Sequence, residues 1–187
     1  MDPVAAPPPG GRMGNTTEGA PMAGRDHLDH KRIAEILDRI DFFDGFTPVE
    51  KVRVAGFHTR FSVYPPGTVI ITEGDAADHS FFILLAGTVS VTKGPGQVRI
   101  TRLAPGDVFG EATFLTGHRR TTNVVADELV IVIRVDRELM GQLSSTVREK
   151  IKDRIIEMLV KRLDAMNAAL LAAMPLETGE MGPTLEG

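Results

Sequence analysis

Between Arg60 and Asp136 the chain is broken at short intervals by turn chemistry, and this punctuation constrains the fold more than any other feature. β-Type runs fall at 61–64, 68–72, 80–85, 88–93, 98–103, 123–126 and 129–135. Between them stand Pro65-Pro66-Gly67, Glu73-Gly74-Asp75, Ala86-Gly87, Gly94-Pro95-Gly96, Pro105-Gly106-Asp107 and Asp127-Glu128. Short strands at this spacing, with a turn at nearly every gap, predict an antiparallel sandwich or jelly-roll β-barrel. Gly74 and Gly87 sit where the backbone needs positive φ or a close approach.

One stretch breaks the β pattern: 106–124, GDVFGEATFLTGHRRTTNV. Gly110 and Glu111 open a segment of one or two helical turns, and Gly117 ends it. A helix start carries unpaired N–H groups and the positive end of the helix dipole, which suit an anion. Arg120, followed by the hydroxyls of Thr121 and Thr122, converges on the same place. Glu111 repels a bare phosphate but accepts hydrogen bonds from a sugar hydroxyl. Phosphate beside sugar points to a nucleotide. The bland alternative is a solvated Arg119-Arg120 pair.

The flanks read as helices. Leu28, Ile33, Ile36, Leu37 and Ile40 recur at helical spacing over 27–40. His27 and His30 lie three apart there and are read as solvated rather than as a metal pair. Thr47, Pro48 and Glu50 make a capping box that starts a second helix, ending by about 59. Phe42, Phe43, Phe46, Val49, Val52, Val54 and Phe57 supply apolar surface to pack onto a neighbouring domain. Asp136 caps a short helix to about 143, and Thr146 with Glu149 forms a second capping box for a helix reaching 173. Val147, Ile151 and Ile155 fit packing on the chain's own barrel. Ile156, Leu159, Leu163, Met166, Leu170 and Ala173 alternate spacings of three and four, which predicts a homodimer contact between two such helices. The layout is then a Pro- and Gly-rich disordered tail at 1–25, a β domain with N-terminal helices at 26–143, the long helix at 144–173 and a second disordered tail at 174–187.

Composition excludes several classes. With no cysteine among 187 residues there are no disulfides, thiolate zinc sites or cysteine-held clusters. A net charge of −4, one tyrosine and no tryptophan argue against a nucleic-acid binder. No apolar run approaches the roughly 20 residues of a membrane span. The N-terminus lacks a leader's basic start and apolar middle, so the cytoplasm is the default.

The run from Tyr64 through Gly67 to Gly74-Asp75, then Phe82-Ile83-Leu84-Leu85-Ala86-Gly87 to Val91, resembles the cyclic-nucleotide-binding domain family. The stretch at 106–124 resembles that family's phosphate-binding cassette, with Phe109-Gly110-Glu111 at its start and Arg120 ten residues after the glycine. The resemblance implies a jelly-roll barrel with N-terminal helices and a long C-terminal helix, binding cAMP or cGMP. By that resemblance, Arg120 pairs with the cyclic phosphate and Glu111 accepts from the ribose 2′-hydroxyl. The backbone N–H groups around Gly110, Ala112, Thr121 and Thr122 line the anion. Thr113 and Thr122 stand where alanine is common in the family, and Arg119 where proline is.

The leading expectation is therefore a sensor and not an enzyme: it needs no cofactor or catalytic residue. Its ligand meets the long helix, with Val147, Ile151 and Ile155 as candidates to face the base, and repositions that helix to signal to a protein effector. The DNA-reading module of related transcription regulators is missing after the long helix, so direct DNA binding is not expected. Two alternatives come from other classes. A ligand-free dimerisation scaffold would have no use for Glu111 and Arg120. A cupin-like metalloenzyme would need a His-x-His pair, and the β region offers only His79 and His118, far apart.

Overall fold

The unbroken apolar run Phe81-Phe82-Ile83-Leu84-Leu85 sets the layering of the molecule. A strand with only one buried face alternates apolar and polar residues, whereas one covered on both faces does not. In the computed structural model, which describes residues 30–57 and 60–173, these five side chains are all buried. Phe82 and Leu84 point into the barrel with Tyr64, Val89, Phe109, Val124, Val130 and Val132. Phe81, Ile83 and Leu85 point the other way, into a second core roofed by helices.

The strands are β1 Phe61–Tyr64, β2 Val69–Ile71, β3 Phe81–Ala86, β4 Val89–Lys93, β5 Val98–Leu103, β6 Val108–Phe109, β7 Asn123–Ala126 and β8 Val130–Val135. They form two four-stranded sheets, ordered β1-β8-β3-β6 and β2-β7-β4-β5, with antiparallel pairing throughout. This is the expected jelly-roll barrel. The seven expected runs all hold strands. The eighth, β6, is only two residues long and pairs Phe109 with Phe82, too short a segment for periodicity to show.

The helices are α1 His30–Leu37, α2 Pro48–Ala55, α3 Glu111–Thr116, α4 Arg137–Gln142 and α5 Ser145–Ala173, with a 3-10 turn at Asp41–Phe43. The Thr47–Glu50 capping box is formed in both directions, and the Asp136 carboxylate accepts from the Leu139 N–H to cap α4. α5 departs from expectation at its start: the Ser144 hydroxyl accepts from the Val147 N–H, so the helix begins ahead of Thr146. α2 ends at Ala55, and His58 and Thr59, like 1–29 and 174–187 with their expected tails, lie outside the described residues. So do His27 and the side chain of His30.

Helices α1, α2, α4 and the first turns of α5 cover the outer face of the β1-β8-β3-β6 sheet. Val147, Ile151 and Ile155 are buried in that layer, as their four-residue spacing requires. Val49 and Val52, expected to supply packing surface, are exposed, because α2 turns its Val54-Ala55 side inward. Lys150 of α5 ties the layer together, donating to Glu50 Oε2 at 2.7 Å and to the Gly45 carbonyl at 2.9 Å. No helix among the described residues is long and apolar enough to cross a membrane.

Candidate functional site

β6 delivers the chain to Gly110, whose φ of +79° turns it sharply into α3. Glycine is required here for two reasons. The conformation strains any L side chain, and a Cβ would lie 2.7 Å from Arg120 Nη1. The space a side chain would take is filled by the arginine's guanidinium. Gly117, also at positive φ, stops α3 after six residues and returns the chain toward β7.

Arg120 is 4% exposed. Its Nη1 donates to the Gly110 carbonyl at 2.9 Å and its Nη2 to the Ser80 carbonyl at 2.7 Å. Asp78 Oδ2 stands 3.3 Å from Nη2, and Asp78 Oδ1 pairs with Arg134 at 3.1 Å. Ser80 is pinned in turn, its hydroxyl donating to Asp78 and accepting from Arg134 Nε. The backbone fixes the loop from below: Arg120 N–H donates to the Asp75 carbonyl and Gly74 N–H to the Arg120 carbonyl, both at 2.8 Å. Gly74, at φ +86°, makes that turn possible.

Burial pulls the Arg120 guanidinium below its ordinary value, against the attraction of Asp78 and Asp75. It remains a cation at any working pH. Burial also pushes the Asp78 carboxyl upward, but hydrogen bonds from Ser80 and Arg134 outweigh it and hold the group below the usual carboxylate range. A buried cation fixed on three sides by protein acceptors is preorganised to meet an anion on its remaining side.

Glu111, first residue of α3, is buried at 9% exposure. Its Oε1 accepts from Nη1 of Arg162, a residue of α5, at 3.2 Å. Arg162 Nη2 also donates to the Val108 carbonyl at 2.6 Å and approaches Asp107 at 3.4 Å. One turn earlier, the Met158 sulfur lies 3.3 Å from the Val108 N–H. The long helix is thus moored to the cassette on both sides of β6.

A cavity of about 230 Å³ opens among these groups. All seven residues expected at the site line it: Phe109, Gly110, Glu111, Ala112, Arg120, Thr121 and Thr122. Thr113, buried, shares the wall. Arg119, by contrast, is exposed and among the described residues reaches only the Gly74 carbonyl, so the basic pair divides into one buried and one exposed member. The opposite wall is Ile71, Val91, Leu103 and Val124 with Thr101, an apolar surface facing the polar cassette. Sequence reasoning did not single these out, although each lies in an expected strand. It also missed Arg162. Val147, Ile151 and Ile155, proposed to face a bound base, sit in the helix-covered core instead, and Arg162 is the α5 residue on the cavity.

Residues 61–146 match the family model for the cyclic nucleotide-binding domain. Over 141 residues the chain is 27% identical to a cGMP-dependent protein kinase of Toxoplasma gondii, a match covering 70% of this chain and 14% of the kinase. It is 31% identical over 116 residues to a cAMP-dependent protein kinase regulatory subunit of Neurospora crassa, covering 60% of this chain and 30% of the subunit. The solved regulatory domain of Toxoplasma gondii PKA, a co-crystal with cAMP, aligns with a TM-score of 0.54 at 26% identity, covering 68% of this chain and 50% of that one. The chain spans less than a third of the length of the curated relatives it matches.

Proposed function

The domain at residues 61–146 belongs to the cyclic nucleotide-binding domain family, and from that premise we propose that the cavity takes up a 3′,5′-cyclic nucleotide and that the chain is a sensor for it. The observation that carries this reading is the convergence of Arg120 and Glu111, from opposite ends of the cassette, on one cavity with an apolar far wall. Arg120 supplies the fixed cation for the cyclic phosphate, seconded by N–H groups of Gly110 to Ala112 and of Thr121 and Thr122. Glu111 has one carboxylate oxygen engaged by Arg162 and a second to accept the ribose 2′-hydroxyl. Val91 and Leu103, with the rest of the apolar wall, receive the base.

Arg162 makes the site responsive. It forms part of the cavity wall, and it is also the contact that moors α5 to Glu111 and Val108. A ligand that alters these contacts binds one placement of α5 better than another, and that difference in affinity shifts the helix's equilibrium. The output passes to an effector through α5. Both cAMP and cGMP fit the phosphate and ribose chemistry, and Thr121 offers a hydroxyl toward a guanine amino group.

Thermal unfolding with cAMP, cGMP and a cyclic dinucleotide tests the reading. A ligand present at about 100 times its Kd adds about 2.7 kcal/mol of stability. No shift with any of the three would leave the barrel a scaffold.

A further inference from the structure

We propose that a second cleft, between α5, the 3-10 turn and the β5–β6 turn, binds a small zwitterion carrying an ammonium and a carboxylate on a short carbon chain. The cleft encloses about 220 Å³ and shares no lining residue with the cavity at the cassette. Its walls are fixed by the backbone. The β5–β6 turn is held by Gly106 N–H on the Leu84 carbonyl at 2.8 Å and by Asp107 Oδ2, which accepts from Ala104 N–H at 2.9 Å. The 3-10 turn is closed by Asp44 N–H on the Asp41 carbonyl at 3.0 Å, and Arg154 Nη2 of α5 reaches the Asp44 carbonyl at 2.7 Å. Phe42, Pro105 and Met158 supply apolar surface inside.

Charge selects the ligand. Three carboxylates line the cleft, Asp41, Asp107 and Glu157, with two cations, Arg154 and Lys161. Most of these are already committed: Arg154 Nη1 donates to Glu157 at 2.8 Å, and Asp107 Oδ1 is met by Arg162 at 3.4 Å. That leaves Asp41 and Lys161, both exposed, whose side chains make no hydrogen bond or ion pair among the described residues. With Arg162 counted on Asp107 the cleft is neutral, with one charge of each sign to spare. A simple acid would find Lys161 but stand among the carboxylates, and a simple amine would find Asp41 but stand beside two cations. A ligand with both charges satisfies both residues. Lys161 lies two turns along α5 from Arg154, about 10 Å. The contact of Arg154 with Asp44 marks the end of the cleft that Asp41 occupies, so the two charges of the ligand need a spacer, which the apolar surface accommodates.

The test is an NMR titration of the isotope-labelled full chain with 6-aminohexanoate, with hexylamine and hexanoate as single-charge controls. The amide signals of Gly106, Asp107 and Met158 should move and saturate at millimolar 6-aminohexanoate. Asp41→Asn and Lys161→Gln should each weaken that binding about threefold, the scale of an exposed charge pair. Both side chains are exposed, so the variants should keep the fold, which urea melts check. No saturable shift at these amides overturns the site. Binding of either control as tightly as 6-aminohexanoate, or binding unchanged in both variants, overturns the zwitterion assignment. The two cavities have no lining residue in common, so failure here and failure to bind a cyclic nucleotide are separate results.

Discussion

Arg162 meets Glu111 at 3.2 Å, although one lies in the fifth turn of α5 and the other at the first residue of α3. A carboxylate buried beside a phosphate site opposes an anionic ligand unless something neutralises it. Arg162 is the cation placed to do so. Arg162→Ala should weaken cyclic-nucleotide affinity about tenfold, or about 1.4 kcal/mol. In a Glu111→Gln background the same substitution should have little effect, because the charge it offsets is gone. Calorimetry on the four proteins of that cycle decides. An undiminished loss in the Gln background would place the role of Arg162 elsewhere.

Arg120→Lys should lower affinity by at least tenfold, again about 1.4 kcal/mol. Arg120 holds the Gly110 and Ser80 carbonyls with separate nitrogens while facing the cavity. A lysine ammonium is a point charge and cannot hold both while gripping a phosphate. Circular dichroism should show the fold retained, and unchanged affinity in a titration would sink the phosphate assignment.

Much of this was legible in the chain because it depended on local chemistry. The strands were marked by their turns, the cassette by the spacing of Gly110 and Arg120, and the capping of α2 and α4 by short-range hydrogen bonds. What escaped depended on tertiary placement. β6 is too short to carry a period, and its pairing with Phe82 comes from the sheet. Nothing in the heptad arithmetic of α5 revealed that Leu159 packs inward and Arg162 reaches a cassette 51 residues away. The expected base-facing residues failed for the same reason: their four-residue spacing marks a buried face without saying which layer it is buried in.

Glycine substitutions should separate folding from binding. At Gly87 a Cβ would stand 2.3 Å from the Leu129 carbonyl oxygen, where the β3–β4 turn crosses the β7–β8 turn. Gly87→Ala therefore pushes two backbones apart and should cost more than about 2 kcal/mol. At Gly117 no atom of the described residues beyond its chain neighbours lies within 4 Å of an added Cβ, so Gly117→Ala carries only the strain of its positive φ, about 1 kcal/mol. Gly110→Ala displaces the Arg120 guanidinium and should abolish nucleotide binding in protein that still unfolds cooperatively. Urea melts with a parallel calorimetric titration read both quantities, and equal destabilisation at Gly87 and Gly117 would refute the backbone argument.

Acid should loosen the site through Asp78. Its carboxyl lies below the usual range in the folded protein, because hydrogen bonds from Ser80 and Arg134 outweigh the upward push of burial. A group whose folded value is depressed contributes stability that is fully present above its unfolded value, about 3.9, and is lost as pH falls through the folded one. Glu50, lowered chiefly by its hydrogen bond from Lys150, acts in the same direction. Stability should therefore be nearly flat from pH 7 to about pH 5 and fall below about pH 4. Asp78→Asn should lower stability at neutral pH by about 1.5–3 kcal/mol, since Arg120 stays charged and buried with its acidic partner gone. It should also flatten part of the acid slope, and adding Glu50→Gln should flatten more. Urea midpoints at about pH 3.5, 5 and 7 measure both effects, and an acid slope as steep in Asp78→Asn as in the parent would remove Asp78 from the account.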